Sequence, residues 1–166
     1  YMDLYQAAGI DVEGLQRVEG QTFRWSGEYE DDMINRRTIS TDLNVFEGFS
    51  PELPPAYRDV PFVMLGNISP ELQLHVLDQA KAARFVMADT MDLWINISRD
   101  ALMEVVGRVH MLTLNDSEAR LLTEQYHLRD CAEAILALGP DYVVIKNGEH
   151  GAMLFSKSGI FIVPAY

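Results

Sequence analysis

The chain of 166 residues carries 13 Lys and Arg against 25 Asp and Glu, a formal charge of −12 that disfavours nucleic-acid backbones and anionic membrane surfaces as partners. Apolar residues at 48% and charged residues at 23% match a folding globular chain and exclude a disordered one. A lone cysteine, Cys131, excludes an internal disulfide, and no apolar run approaches the roughly 18 residues of a membrane span, so a soluble, cytoplasmic protein is expected.

The chain opens in what reads as the end of a helix. Leu4, Ala7 and Ala8 fall on one helical stripe that stops at Gly9. Its last residues, Pro164 to Tyr166, lead out of a strand, so the chain reads as truncated at both ends. From Gln16 to Phe46, alternation in Thr22 to Ser26 and again in Arg37 to Thr41 predicts two antiparallel strands joined by an acidic turn at Asp31 and Asp32. Pro51, Pro54 and Pro55 mark a linker, which divides the chain into residues 1–50, a helix end plus a β hairpin, and residues 51–166, an α/β core.

Beyond the linker, strand and helix patterns alternate. Val60 to Leu65 predicts a strand, and Ser69-Pro70-Glu71 opens a helix with Ser69 as N-cap and Leu72, Val76, Leu77 and Ala80 as its buried stripe. A strand at Arg84 to Ala88 and a helix from Ser98 to Val106 follow, then a strand at Val109 to Leu114 and helices at Asp116 to Thr123 and Asp130 to Leu138. Tyr142 to Ile145 predicts a fourth core strand, and the segments around Ala152 to Phe155 and Ile160 to Val163 predict a hairpin. Uninterrupted apolar strands separated by helices imply a mostly parallel sheet covered on both faces.

Ligands of open α/β sheets bind beyond the carboxyl ends of the strands, where loops and helix N-termini converge. The residues at those places are Gly66-Asn67, Asp89-Thr90, Asn115 to Glu118 and Lys146 to Gly151. Small, polar and acidic, they suit magnesium and phosphate better than an apolar ligand. The four histidines show no metal spacing.

The run Met111 to Thr123, which contains Asn115-Asp116-Ser117-Glu118, resembles the Asn-x-x-Glu segment of the ribokinase-like (PfkB) carbohydrate kinases. Val143 to Ala152 resembles that family's later strand and glycine turn, and Ala8 to Leu15 and Gly66 to Glu71 match it in the same order. The stretches Thr22 to Gly27, Asp42 to Phe46 and Asp89 to Trp94 are similar to one bacterial subgroup. The resemblance implies a three-layer αβα fold with a mostly parallel sheet and a small antiparallel β lid, incomplete relative to the family. It implies an ATP-dependent sugar kinase acting on a small sugar or sugar-like alcohol with Mg2+.

By that resemblance Asn115 and Glu118 organise the metal, and Lys146, Gly148, Gly151 and Asp89 face the nucleotide, while Thr22, Arg24, Trp25 and Asn44 belong to the substrate lid. Plainer readings stand beside these: a capping box for Asn115 and Glu118, an Asn-Gly hairpin turn at Asn147-Gly148, and simple packing for Trp25. Asp92 stands where the family more usually has an amide. The family's Gly-Ala-Gly-Asp turn, whose Asp is the base, does not occur in the sequence and would lie beyond Tyr166, so no catalytic residue is assigned and low activity of the chain alone is expected. A non-catalytic remnant that binds a nucleotide or a protein partner is the alternative. Self-association through the lid or exposed sheet edges is a further expectation.

Overall fold

The computed structural model describes residues 1–31 and 36–166, Arg36 by its backbone alone. The chain divides into two compact units, Tyr1–Glu52 and Leu53–Tyr166. Asp32 of the expected acidic turn lies outside the described residues.

In the first unit, helix α1 (Met2–Ala7) ends as its glycine requires. Gly9 adopts φ +71°, and the amides of Gly9 and Ile10 turn back to the carbonyls of Gln6 and Tyr5, the paired bonds of a Schellman stop. The expected apolar stripe stays exposed on α1, which buries no residue. Strands β1 (Arg24–Tyr29) and β2 (Arg36–Asp42) pair antiparallel, with Arg24 opposite Asp42 and Trp25 opposite Thr41. The register slips between Ser26 and Gly27, leaving Ile39 as the extra residue of a bulge that alternation alone does not reveal. A 3-10 turn follows at Asn44–Gly48, where Phe46 packs edge-on against Phe23 and stacks on Phe49.

The second unit opens with a short helix, α2 (Pro55–Arg58), where the sequence reads only as linker; Pro55 at its first position is preset for a helix start. Then come β3 (Phe62–Leu65), α3 (Pro70–Gln79), β4 (Phe85–Asp89), α4 (Asp92–Ile97), α5 (Arg99–Arg108), β5 (Met111–Asn115), α6 (Asp116–Thr123), α7 (Leu128–Leu136), β6 (Tyr142–Lys146), β7 (Ala152–Ser156) and β8 (Gly159–Val163). Helix α4 is missing from the sequence reading because six residues are too few to show a helical period. Ser69 and Ser98 hold the N-cap positions of α3 and α5 without side-chain caps. The Ser69 hydroxyl donates to Glu71 instead, at 2.6 Å.

The six strands lie side by side in sequence order, β3 to β6 parallel and β7 and β8 antiparallel. Right-handed crossovers between parallel strands taken in sequence order place every connecting helix on the same face. The burial pattern agrees. Val86, Ala88, Leu112, Leu114, Val143, Ile145 and Phe155 point into a core completed by Leu77, Leu102, Val105, Val106, Ala119, Leu122, Ala132 and Ile135 from the helices. Each large side chain buried there contributes about 1.5–3 kcal/mol.

The opposite strand face is half-buried at its centre and open at its rims, where Phe62 is 73% and Phe161 64% exposed. Within this unit the connecting helices pack on one strand face, and the mostly parallel sheet with its helices, beside a separate two-stranded antiparallel sheet, is the α/β class expected from the sequence. His110 links β4 to β5 below the ladder: its Nδ1 accepts the Val86 amide at 3.1 Å and its ring stacks on Phe85. No helix among the described residues is long and apolar enough to cross a membrane.

Candidate functional site

At the carboxyl ends of the parallel strands the chain must leave the sheet, and backbone groups there lose their ladder partners. Pairing of β3 with β4 ends at Leu65 and Ala88. One residue further, the Gln73 side-chain amide of α3 donates to both the Gly66 and the Asp89 carbonyls, each at 2.9 Å. The next loops are also laced together: Trp94 Nε1 donates to Asn67 Oδ1 at 2.8 Å, and Asn67 Nδ2 reaches the Met91 sulfur at 3.0 Å.

Asp89 lies opposite Thr113, and Lys146 opposite Asn115, so both side chains stand on the open strand face across β5. There the Lys146 ammonium meets Asp89 Oδ1 at 3.0 Å, with both side chains partly exposed. Beside this pair, Asn115 and Glu118 form a reciprocal capping box at the start of α6. Asn115 Oδ1 accepts the Glu118 amide at 2.8 Å, and Glu118 Oε2 accepts the Asn115 amide at 2.7 Å. Asn115 Oδ1 also accepts the Ser117 hydroxyl at 2.7 Å. Both lone pairs of that oxygen are thus in use, and the Asn115 NH2 is the group left to face a ligand.

Glu118 is only 6% exposed. Burial, the largest influence, holds its carboxyl above the usual range, and Asp89 and Asp92 add to the rise; the Asn115 amide and the Lys146 ammonium oppose it. A buried carboxyl, two further carboxylates and one ammonium thus interact at a single corner of the sheet.

The glycine turn differs from a two-residue Asn-Gly hairpin. Residues 147–151 form a one-turn 3-10 segment, Gly148–His150, between β6 and β7. Gly148 adopts φ +51° with open space where a Cβ would stand. Gly151, at φ +95°, has the chain's own backbone against it: a Cβ there would come within 2.0 Å of the Val163 carbonyl oxygen. The need for glycine at 151 is therefore met inside the fold.

The remaining expected residues lie in the first unit. Trp25 covers Gly27 and directs Nε1 to the Thr38 hydroxyl at 3.3 Å. Asn44, at φ +50°, donates to the Thr22 carbonyl at 2.9 Å, fixing the start of the 3-10 turn. Arg24 is exposed at the start of β1.

Among the described residues no three His, Cys, Asp or Glu side chains gather to hold a metal ion directly. The donor set still fits magnesium, which keeps several waters and takes its other oxygens from phosphates. Glu118 and Asp89 offer anionic oxygen for such waters, and Lys146 offers a point charge for phosphate. Sequence reasoning missed Gln73, because a glutamine beside Leu72 and Leu74 carries no motif; its position three residues into a helix after a strand end is the only trace.

The family model for pfkB family carbohydrate kinases matches residues 1–166. Over 152 residues the chain is 28% identical to a cytidine kinase of Thermococcus kodakarensis, covering 90% of this chain and 54% of that protein. It thus spans about half the length of that relative. The Burkholderia thailandensis nucleoside kinase in complex with inosine superposes with a TM-score of 0.75 at 17% identity, over all of this chain and 53% of that one. A putative ribokinase II from E. coli in complex with ATP and Mg2+ gives 0.76 at 18% identity, over 99% and 57%.

Proposed function

The chain belongs to the pfkB family of carbohydrate kinases, and from that membership we propose that it serves transfer of the γ-phosphoryl of ATP to a hydroxyl of a sugar or sugar-like alcohol, a nucleoside ribose included. One observation carries the reading: a lysine ammonium held by Asp89 stands at the carboxyl ends of parallel strands, beside buried Glu118. Phosphoryl transfer asks a protein mainly for positioning and charge stabilisation. Lys146 supplies positive charge that remains in place when phosphate arrives, and the Asn115 NH2 supplies donors to a phosphate oxygen. Glu118, anchored by the Asn115 amide, would hold magnesium through its waters. Magnesium, when bound, neutralises charge on the phosphate oxygens.

The nucleoside arm rests on the cytidine kinase relative and on the nucleoside kinase of the same fold. The nucleotide and metal arm is supported by the ribokinase II that binds ATP and Mg2+. The Gly-Ala-Gly-Asp turn that the resemblance makes the source of the base does not occur in these residues, and very slow turnover by the 166-residue chain alone, with MgADP held at the strand-end corner, is the expected outcome. The test is coupled ADP release over a panel of sugars and nucleosides, for this chain and for its full reading frame. Turnover by the full frame and near-silence of the chain are expected. Silence of both, with MgADP still bound, would favour a non-catalytic binding role.

A further inference from the structure

Gln73 is 1% exposed, in the first turns of α3, and a buried amide is costly unless its polar groups are paired. Its two N–H groups are paired, to the Gly66 and Asp89 carbonyls. Its oxygen is not: Gln73 Oε1 is buried without a hydrogen-bond partner. A group that serves the core alone would be replaced at a gain by an apolar side chain of the same shape. The unpaired oxygen is retained with the two donors, and those donors act at one place, the point where β3 and β4 part.

The consequence is local rigidity where the site needs it. Asp89 is the last residue of β4, held on one side by its pairing with Thr113 of β5 and on the other by Gln73. With its strand paired to β5 and its carbonyl held by Gln73, the end of β4 is fixed, and the Asp89 carboxylate reaches over β5 to Lys146. Buried Glu118 senses both charges.

We propose that Gln73 is a positioning residue: by joining the carbonyls of Gly66 and Asp89 it sets the Asp89 carboxylate, and through it the Lys146 ammonium, for phosphate. The inference rests on the nucleotide reading of the Asp89 and Lys146 pair for its purpose, though not for its geometry.

The test reads the Lys146 ammonium by nitrogen-15 NMR of the intact 166-residue chain, at mildly acidic pH and low temperature. An ammonium locked on a carboxylate exchanges its protons with water slowly, whereas a free one exchanges too fast to be seen. The wild type shows one protected ammonium signal that Lys146→Arg removes and Asp89→Asn broadens. Gln73→Met, of similar shape but without donors, speeds its exchange about tenfold, comparable to the loss of a charge-assisted bond. Leu77→Ala, which removes a buried apolar side chain from the same helix, leaves the signal unchanged.

Slow exchange retained in Gln73→Met, or equal loss in Leu77→Ala, overturns the proposal. If Gln73→Met does not fold, the wild type decides on warming. The Gln73 side-chain amide and the Lys146 ammonium must lose protection together; Lys146 freed while the Gln73 amide stays protected overturns it. Titration with MgADP is a separate arm. Absence of shifts at Lys146 and Asn115 removes the nucleotide reading, and positioning still stands or falls on the exchange rates.

Discussion

At the scale of single residues, two side chains of the α6 N-terminus can be separated by what each substitution retains. Folded Glu118 holds its proton more tightly than the unfolded chain does, chiefly through burial. As pH rises from the ordinary value of 4.5, the unfolded state therefore loses this proton first, and stability falls until the raised folded value has been passed. Glu118→Gln keeps an oxygen for the Asn115 amide and removes the ionisation. Urea unfolding over a pH series should show the variant gaining on the wild type as pH rises through that window and holding a constant difference above it.

Asn115 poses the converse problem, since one side chain caps a helix and faces the strand-end corner. Serine caps about as well as asparagine but has no NH2, so Asn115→Ser should change stability by no more than about 0.5 kcal/mol. The same variant should weaken MgADP binding about tenfold, the size of one lost hydrogen bond to a charged group. Calorimetric titration that finds unchanged affinity would leave Asn115 a cap and nothing more.

At the scale of elements, the turn from β6 to β7 contains two glycines with different duties. Gly148 tolerates a methyl group sterically, and only its left-handed backbone resists one, so Gly148→Ala should cost about 1 kcal/mol. Gly151 faces the Val163 carbonyl and the peptide after it, so Gly151→Ala must displace the end of β8 as well as strain φ. The combined cost is about 2–5 kcal/mol. Denaturant midpoints of the two variants, measured side by side, check the contrast. Equal midpoints would mean that the end of β8 yields without cost.

At the scale of the molecule, apolar surface is distributed unevenly. The helices of the second unit pack one strand face, and β8 presents Ile160, Phe161, Ile162 and Val163 to solvent along one edge. An exposed apolar edge strand is a template for pairing. The chain should therefore associate as its concentration rises, and Phe161→Lys with Ile162→Lys should return it toward a monomer. Light scattering after size separation measures both. A wild type that stays monomeric at high concentration would count against association through this edge.

Local signals in the sequence were sufficient for most of the elements, the short helices α2 and α4 apart, and for the capping box of Asn115 and Glu118. The start of α6 at Asp116 follows from Asn115 and Glu118 at capping-box spacing, because a cap is made by residues three apart. Strand periods, the Schellman glycine and the alternation of strand with helix are equally local, and together they imply α/β architecture before any long-range contact is known. The motifs in their order marked the family, and the family match spans the chain.

The tertiary structure decided what depends on distant chain segments. Asp89 and Lys146 are 57 residues apart and meet only because β4, β5 and β6 lie parallel in sequence order. That order, with right-handed crossovers, placed the helices on one strand face, which a run of apolar residues does not encode. Gln73 gained its role from two carbonyls on strands that part beside it. A hydrogen bond between segments far apart leaves no period in the sequence, since its geometry exists only after the sheet has formed.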